Sequence, residues 1–414
     1  MTDLLAARTQ MAMSLGFHIV FAAIGIAMPV LLAAAEWQWL TKGDREGLNL
    51  AQRWSKGTAI LFAVGAVSGT VLSFELGLLW PRFMERAGPL IGPLFALEGF
   101  AFFTEAIFLG IYLYGWSRIP PRVHFVAGLI VAASGIASAF FVVTANAWMN
   151  GPTGLAPEGA PSTQIDTLAP FRHPAAWHET AHMVLAAFAA SGLLVAGIHA
   201  WSLLRDPRSR FHRLALIIAL VVGGIPALLQ PLSGHLIAKA VAVHQPAKLA
   251  AMEAHFQTEA GADFILGGIP DAETQTVSYA IRIPNGLSLL VHGDARGEVT
   301  GLDRFPREDW PPVTVVHVAF QLMVACGMLM AAMTVWSGWR LLSRGRIEED
   351  RRLLCALIVT APLGFIAIEA GWVVTEVGRQ PWIIDHVMRT SEAVTPMPGL
   401  WIPMVTFTVL YFVL

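Results

Sequence analysis

Eight stretches of this chain, near 12–35, 54–80, 92–115, 123–147, 180–204, 214–238, 313–340 and 354–376, are apolar for more than twenty residues each, and that property decides what it can fold into. Hydrocarbon offers no hydrogen bonds, so a run of this length satisfies its backbone only as a helix. A ninth run begins near 400 and is still apolar at Leu414, so it is expected to be a last span cut at the chain end. Charged residues make up only 14% of the 414, and the mean hydropathy of +0.60 lies outside the range of soluble domains. The expected fold is all-α and integral to a membrane, with about nine transmembrane helices. It divides into helices 1–6 over 1–238, an extramembrane connection over 239–312 and the remaining helices over 313–414. The first run, with Arg8 as a basic flank, imitates a signal peptide, but it is long and lacks an obvious small-residue cleavage site, so it is kept as a mature helix.

Lysine and arginine set the orientation, because positive residues stay cytoplasmic in short loops. The connections after spans 1, 3, 5 and 7 carry 15 of them, among them Lys42, Arg118, Arg205 and Arg340, whereas the amino terminus and the connections after spans 2, 4 and 8 carry 6. The amino terminus is therefore expected outside. The connection over 239–312 then also lies outside. Its helical spacing followed by alternating Thr, Val, Tyr and Ile predicts an ordered flap. With 27 basic against 29 acidic residues there is no patch for nucleic acid. Cys326 and Cys355 both sit in apolar runs without a CxxC or CxxCH pattern, which argues against a thiolate metal site and against covalent haem attachment.

Ionisable residues inside such spans each cost about 2.5–3.5 kcal/mol at a helix centre and therefore mark function. Here they are His18, Glu75, Glu98, Glu105, His182, Glu369 and Glu376. On the outward orientation His18, His182, Glu98 and Glu376, with Met323, come to one depth in the outer leaflet. Histidine with methionine can ligate a low-spin haem, and a second histidine or a glutamate can hold a high-spin iron. Taken singly, each is as readily an interface or core residue. Residues 178–182 read HETAH, the pattern of an intramembrane zinc protease. Such a site needs a third ligand, and the Asp-Gly dipeptide that usually supplies it is absent from the sequence. A proton-coupled transporter using the buried carboxylates is the other rival reading.

With GWVVTEVGRQPW at 371–382 the sequence resembles subunit I of the cytochrome bd family of quinol oxidases. The resemblance runs the length of the chain through GFH (16–18), ALEGFAFFTEAIFLGIYLYGW (96–116), TANAWMN (144–150), KLAAMEA (248–254) and MVACG (323–327). It implies a low-spin haem b on His182 and Met323, with His178 incidental. It also implies two high-spin haems, a haem b and normally a haem d, on His18 and Glu376, with the assignment between the two open. Arg379 is expected to face haem propionates, Glu98 and Glu105 to serve charge compensation and proton delivery near the oxygen site, and Lys248 and Glu253 to serve quinol oxidation. Ser68, Ser73 and Thr104 are candidates for a proton route, or simply for helix back-bonding. The implied partners are a subunit II, small single-helix accessory subunits, lipid, quinol and oxygen. The implied setting is the bacterial cytoplasmic (inner) membrane, where the enzyme generates potential without pumping. Two departures stand out: Gln321 occupies a position that is often Arg two residues before Met323, and the outer connection is short, as in the class that includes cyanide-insensitive oxidases.

Overall fold

Polar caps and prolines fix where the helices begin. Thr2 accepts from the Leu5 amide at the start of α1 (Asp3–Lys42), and Asp44 accepts from Glu46 at the start of α2 (Arg45–Leu79). Proline occupies the first turn of α3 (Pro81–Gly115), α4 (Pro121–Asn150) and α5 (Pro174–Arg205), where its missing N–H costs nothing. Ser209 caps α6 (Arg210–His244), and Gly43 closes α1 in the left-handed region at φ 65°. The computed structural model describes residues 2–156 and 164–414.

Beyond α6 comes the outer connection. It comprises α7 (Pro246–Met252), β1 (Glu259–Ala260), β2 (Phe264–Asp271), β3 (Thr276–Ile283), α8 (Gly286–His292) and β4 (Glu298–Val299). β2 and β3 form an antiparallel hairpin in which Phe264 faces Ile283 and Asp271 faces Thr276, and β1 pairs with β4. The chain then returns through α9 (Val313–Arg344), α10 (Arg351–Thr360) and α11 (Leu363–Val377). It ends with the short β5 (Trp382–Ile384) and β6 (Met388–Arg389), α12 (Thr390–Ala393) and α13 (Trp401–Val413). Among the described residues eight spans are long and apolar enough to cross a membrane, counting α10 and α11 as one, and α13 is a shorter apolar helix.

Most helices run past the predicted spans at one end or both, and three differences stand out. α3 starts at Pro81, eleven residues before its predicted span, and this extra length places Phe83, Leu90 and Ile91 in one cluster with Trp148, Ile384 and Leu400 as an outer cap. The eighth span breaks at Ala361–Pro362, because Pro362 has no N–H to continue the ladder. α6 runs to His244, past the predicted 238. The outer connection is held to the bundle by α9: His317, fully buried, reaches the Met252 carbonyl at 2.8 Å and the Gly267 carbonyl at 2.9 Å. One turn on, Gln321 accepts from the Gly267 amide and donates to the Ile265 carbonyl, both at 3.0 Å. Gln321 is thus spent on the hairpin.

α1 lies at the centre, against α2, α4, α5, α6, α11 and α13. The apolar stretches of α2, α3 and α9 are mostly exposed within this chain. The α5–α6 pair closes most tightly where Gly192 meets Gly223: a Cβ on Gly223 would lie 2.8 Å from the Gly192 Cα. Gly223→Leu should therefore cost about 1–3 kcal/mol through overpacking and lower the thermal unfolding temperature of the purified protein in detergent. Gly57→Leu, at a position with nothing within 4 Å of the new Cβ, should leave it unchanged.

Candidate functional site

At the outer end of the bundle a line of polar groups runs from the connection into the helices. Glu376 occupies the last turn of α11, and Arg379, three residues on, donates through Nη2 to Glu376 Oε2 at 2.7 Å. Asn146 of α4 donates to the other carboxylate oxygen, and Thr375 Oγ1 donates to Asn146 Oδ1 at 3.3 Å. Asn150, one turn further along α4, donates to Asn146 Oδ1 at 3.0 Å and accepts at its own Oδ1 from Lys248 Nζ at 2.5 Å. The structure therefore brings Lys248, Arg379 and Glu376 together. The link is Asn146 and Asn150, which lie in the TANAWMN motif but carry no role from sequence. Burial, with the Arg379 guanidinium adding repulsion, pulls Lys248 down to about 8, while Glu179, Asp385 and Glu376 oppose the shift. Burial raises Asp385 as well. A cavity of about 90 Å³ opens beside Lys248 and Arg379, between His244, Trp382, Asp385 and His386. Glu179, the acid of HETAH, stands in the field of Lys248, Arg379 and Glu376. No group of three His, Cys, Asp or Glu side chains suited to a metal occurs among the described residues.

The two histidines share one arrangement. His18 Nδ1 lies 3.0 Å from Ser68 Oγ, and that hydroxyl spends its only proton on the Val64 and Gly65 carbonyls. Ser68 must then accept from Nδ1–H, which leaves the Nε2 lone pair free. His182 repeats this on α6: Nδ1 lies 2.7 Å from Ser233 Oγ, whose proton goes to the Gln230 carbonyl. Its Nε2 accepts from the Gln230 amide at 3.2 Å. A serine thus sets each tautomer, a role that sequence reading assigned instead to proton transport at Ser68. Ser73, exposed, and Thr104, half-buried, direct their hydroxyls to the carbonyls of Gly69 and Phe100 in their own helices.

Glycines on the facing helices let three of the candidate ligands pack close against the neighbouring backbone. A Cβ on Gly69 would lie 2.9 Å from His18 Cε1, one on Gly371 3.1 Å from Met323 Sδ, and one on Gly234 3.4 Å from His182 Cε1. Arg379 is only 4% exposed, yet its Nε and Nη1 have no partner among the described residues. A buried guanidinium with two idle donors suits the carboxylates of a propionate-bearing group. Donor set, tautomers and charge fit haem. Along α11, Gly16 faces Glu369 and Met323 faces Gly371, so His18 and Met323 fall within about one turn of each other. Glu376 lies one to two turns further out, so the single depth expected from sequence becomes two tiers.

The remaining predicted residues lie apart from this network. Glu98 accepts from Ser138 of α4 at 2.9 Å, and Glu105, deeply buried two turns along α3, faces Gly25 and Gly135. Glu75 accepts from Gln10 at 2.9 Å. Glu253 ends α7 in a tight turn, with Ala254 at φ 50° and the His255 amide returning to the Ala250 carbonyl at 2.8 Å. That turn buries the Glu253 carboxyl, leaves its Oε2 without a partner among the described residues and pushes it up to about 8.

A family model for cytochrome bd terminal oxidase subunit I matches residues 6–414. The whole chain is 36% identical to a Bacillus subtilis (strain 168) protein named provisionally as a cytochrome bd menaquinol oxidase subunit I, covering 94% of it. It is 31% identical to the cytochrome bd ubiquinol oxidase subunit 1 of the same organism, over 91% of that protein. Among solved structures, the bd oxidase from Geobacillus thermodenitrificans is similar at a TM-score of 0.94 and 37% identity, over 100% of this chain and 95% of that one.

The raised Glu253 carboxyl makes the outer connection sensitive to pH. Folding keeps a proton there that the unfolded chain loses, so its contribution is full below about 4.5 and is lost as pH rises through about 8. Amide protection over residues 249–256, corrected for intrinsic exchange, should fall between pH 6 and pH 9. Glu253→Gln should flatten that dependence.

Proposed function

Since this chain belongs to the cytochrome bd terminal oxidase subunit I family, we propose how its own residues divide the work of that enzyme. It is a multi-pass, haem-bearing subunit of a terminal quinol oxidase that works with a subunit II on quinol and oxygen. In our reading His182 and Met323 hold a low-spin haem b, while His18 and Glu376 hold a high-spin haem b and a haem d. The enzyme sits in the bacterial cytoplasmic membrane, with lipid, subunit II and small accessory subunits against the exposed apolar faces of α2, α3 and α9. The observation that carries the histidine assignments is the serine hydroxyl at each Nδ1, which leaves Nε2 of His18 open and Nε2 of His182 held only by the Gln230 amide, which bound iron would displace. Bound haem supplies one-electron carriers and an iron with an open position for oxygen.

The protein's part is binding, orientation and protons. Arg379 neutralises propionate charge while holding Glu376, and Asn146 fixes the second carboxylate oxygen. Glu253, poised near 8, is ionised in a minor fraction at neutral pH and is then a strong base for the quinol hydroxyl. Lys248 ties the quinol-side connection to Glu376 through Asn150 and Asn146, so that quinol binding is felt at the inner network. Glu98 and Glu105 hold protons drawn from the cytoplasm, which separates charge across the membrane without a pump.

Met323→Leu preserves volume and removes only the thioether, so the optical spectrum should lose its low-spin component while the protein stays folded. An unchanged spectrum would remove Met323 from the ligand set. Glu253→Gln should slow quinol-driven oxygen consumption by about a hundredfold, the low end for loss of a general base, with all haem bands retained and oxygen reduction by an artificial donor intact. A fall in both activities would place Glu253 in the oxygen chemistry instead.

A further inference from the structure

At the end of the bundle opposite the outer connection, a carboxyl, an imidazole and a phenol are buried together, and none of them is used above. Glu36 of α1, His124 of α4 and Tyr112 of α3 are 0%, 2% and 1% exposed. His124 Nε2 lies 2.8 Å from the Tyr112 backbone carbonyl, and Nδ1 lies 2.8 Å from Glu36 Oε1. A carbonyl only accepts, so Nε2 carries a proton in every state. The Nδ1···Oε1 contact then requires a second proton, whether it rests on nitrogen or on oxygen, because otherwise two lone pairs would face each other. The pair is thus neutral overall at rest. A further proton has a place to go: Glu36 Oε2 and Tyr112 Oη are both buried without a hydrogen-bond partner among the described residues, and both side chains adjoin the His124 ring. The Tyr112 and Trp116 rings pack on His124 with centroids 4.3 and 4.0 Å away.

A buried acid–imidazole pair by itself is a poor source of stability. Its position gives it a second meaning. On the orientation assigned by the Lys and Arg distribution, Glu36 lies about 9 Å inside the cytoplasmic end of α1, six residues before Lys42. Tyr112 and Glu105 share α3 two turns apart, about 10 Å. Glu105 faces Gly25 of α1 and Gly135 of α4, the same two helices that carry Glu36 and His124. Between the two levels lies an apolar crevice, too narrow for water in this structure, lined by Pro29, Leu32, Leu109, Tyr112, Gly128 and Val131. Pro29 has no N–H, which frees the Gly25 carbonyl beside Glu105 as an acceptor. Gly128 has no Cβ where one would lie 2.8 Å from the Tyr112 ring.

We propose that Glu36, His124 and Tyr112 form a proton-loading group that supplies Glu105 from the cytoplasmic side. The proposal rests on the proton role given to Glu105 above. A cytoplasmic proton adds to Glu36 Oε2, and Tyr112 Oη takes it up while releasing its own proton to the Glu105 carboxylate through water that enters when the α1, α3 and α4 side chains lining the crevice move apart. One O–H bond forms for each that breaks, no electron moves, and rotation of the phenol hydroxyl resets the group. The proton held between Nδ1 and Oε1 stays, which keeps the site neutral between transfers.

The test uses the purified oxidase complex with haem and subunit II. Glu36→Gln keeps the shape and offers an amide N–H to Nδ1, but it cannot be loaded. Quinol-driven oxygen consumption should fall by about a hundredfold, as for loss of a positioned proton donor, with the haem spectrum unchanged and a larger solvent deuterium isotope effect. Glu36→Asp should recover most of the rate, which a purely structural role for the longer side chain does not predict. The double variant Glu36→Gln/Glu105→Gln should be no slower than Glu105→Gln alone, because both act on one route. Wild-type turnover and isotope effect in Glu36→Gln, or multiplying losses in the double variant, would overturn the proposal. If Glu36→Gln fails to assemble, Tyr112→Phe, which removes only the hydroxyl, carries the same expectations. Wild-type turnover in Glu105→Gln alone would remove Glu105 as the destination and as a proton carrier, leaving the loading group to be judged on Glu36→Gln.

Discussion

A guanidinium that is almost wholly enclosed must be answered by charge, and Arg379 is answered only in part by Glu376 at 2.7 Å. Breaking a buried pair leaves an uncompensated ion, a loss of several kcal/mol, so the groups around Arg379 are held to their places. Asn146 fixes the far oxygen of Glu376, Asn150 fixes Asn146, and Lys248 closes the line from the outer connection. Two of the three Arg379 nitrogens have no partner among the described residues. That residual demand suits anionic oxygen such as a carboxylate.

The histidines follow the same logic with a cheaper device. An imidazole within a span is tolerable when neutral, and a neutral ring is useful to a metal only when the correct nitrogen is free. Ser68 and Ser233 direct the proton to Nδ1, because each has already given its own proton to a helix carbonyl and can only accept from Nδ1–H; Nε2 is then open in His18 and held by the Gln230 amide in His182. Glycine on the opposing helix lets each ring pack close to the neighbouring backbone. Neither device changes the hydropathy of the helices, so neither interferes with insertion into the bilayer.

The sequence carried the spans, the ordered outer connection and the residues of the family motifs, because these are written in runs and short words. The partners of those residues were not legible. Asn146 and Glu376 are 230 positions apart, and only the fold, in which α4 and α11 both pack on α5, brings them into contact. Glu179 was set aside with the HETAH pattern, although its carboxyl stands in the field of Lys248 and Arg379. Gln321, read as a lost arginine, turned out to hold the β2–β3 hairpin. Glu36 and His124 drew no notice because they lie near helix ends, where a charge is expected to meet water; only the fold shows that both are enclosed. The early start of α3 was not legible either, because residues 81–91, with Arg82, Glu85 and Arg86, are not an apolar run, although they continue the helix.

α4 shows why a span that looks featureless in sequence matters most in the structure. Its apolar stretch is as hydrophobic as that of α1, yet one side of it meets a polar group at each level. His124 binds Glu36, Gly135 gives room to Glu105, Ser138 donates to Glu98, Asn146 to Glu376, and Asn150 receives Lys248. Positions 124, 128, 131, 135 and 138 advance by three or four residues, the spacing that keeps side chains on one face of a helix. From His124 to Asn150 that face rises about 39 Å, the full depth of a bilayer with its headgroups. A helix can carry so many polar contacts and still insert only if each is short, neutral and matched on a neighbour. Small residues and amides satisfy that condition, and they leave the expensive charges to α1, α3, α11 and the outer connection, whose carboxylates α4 holds in register.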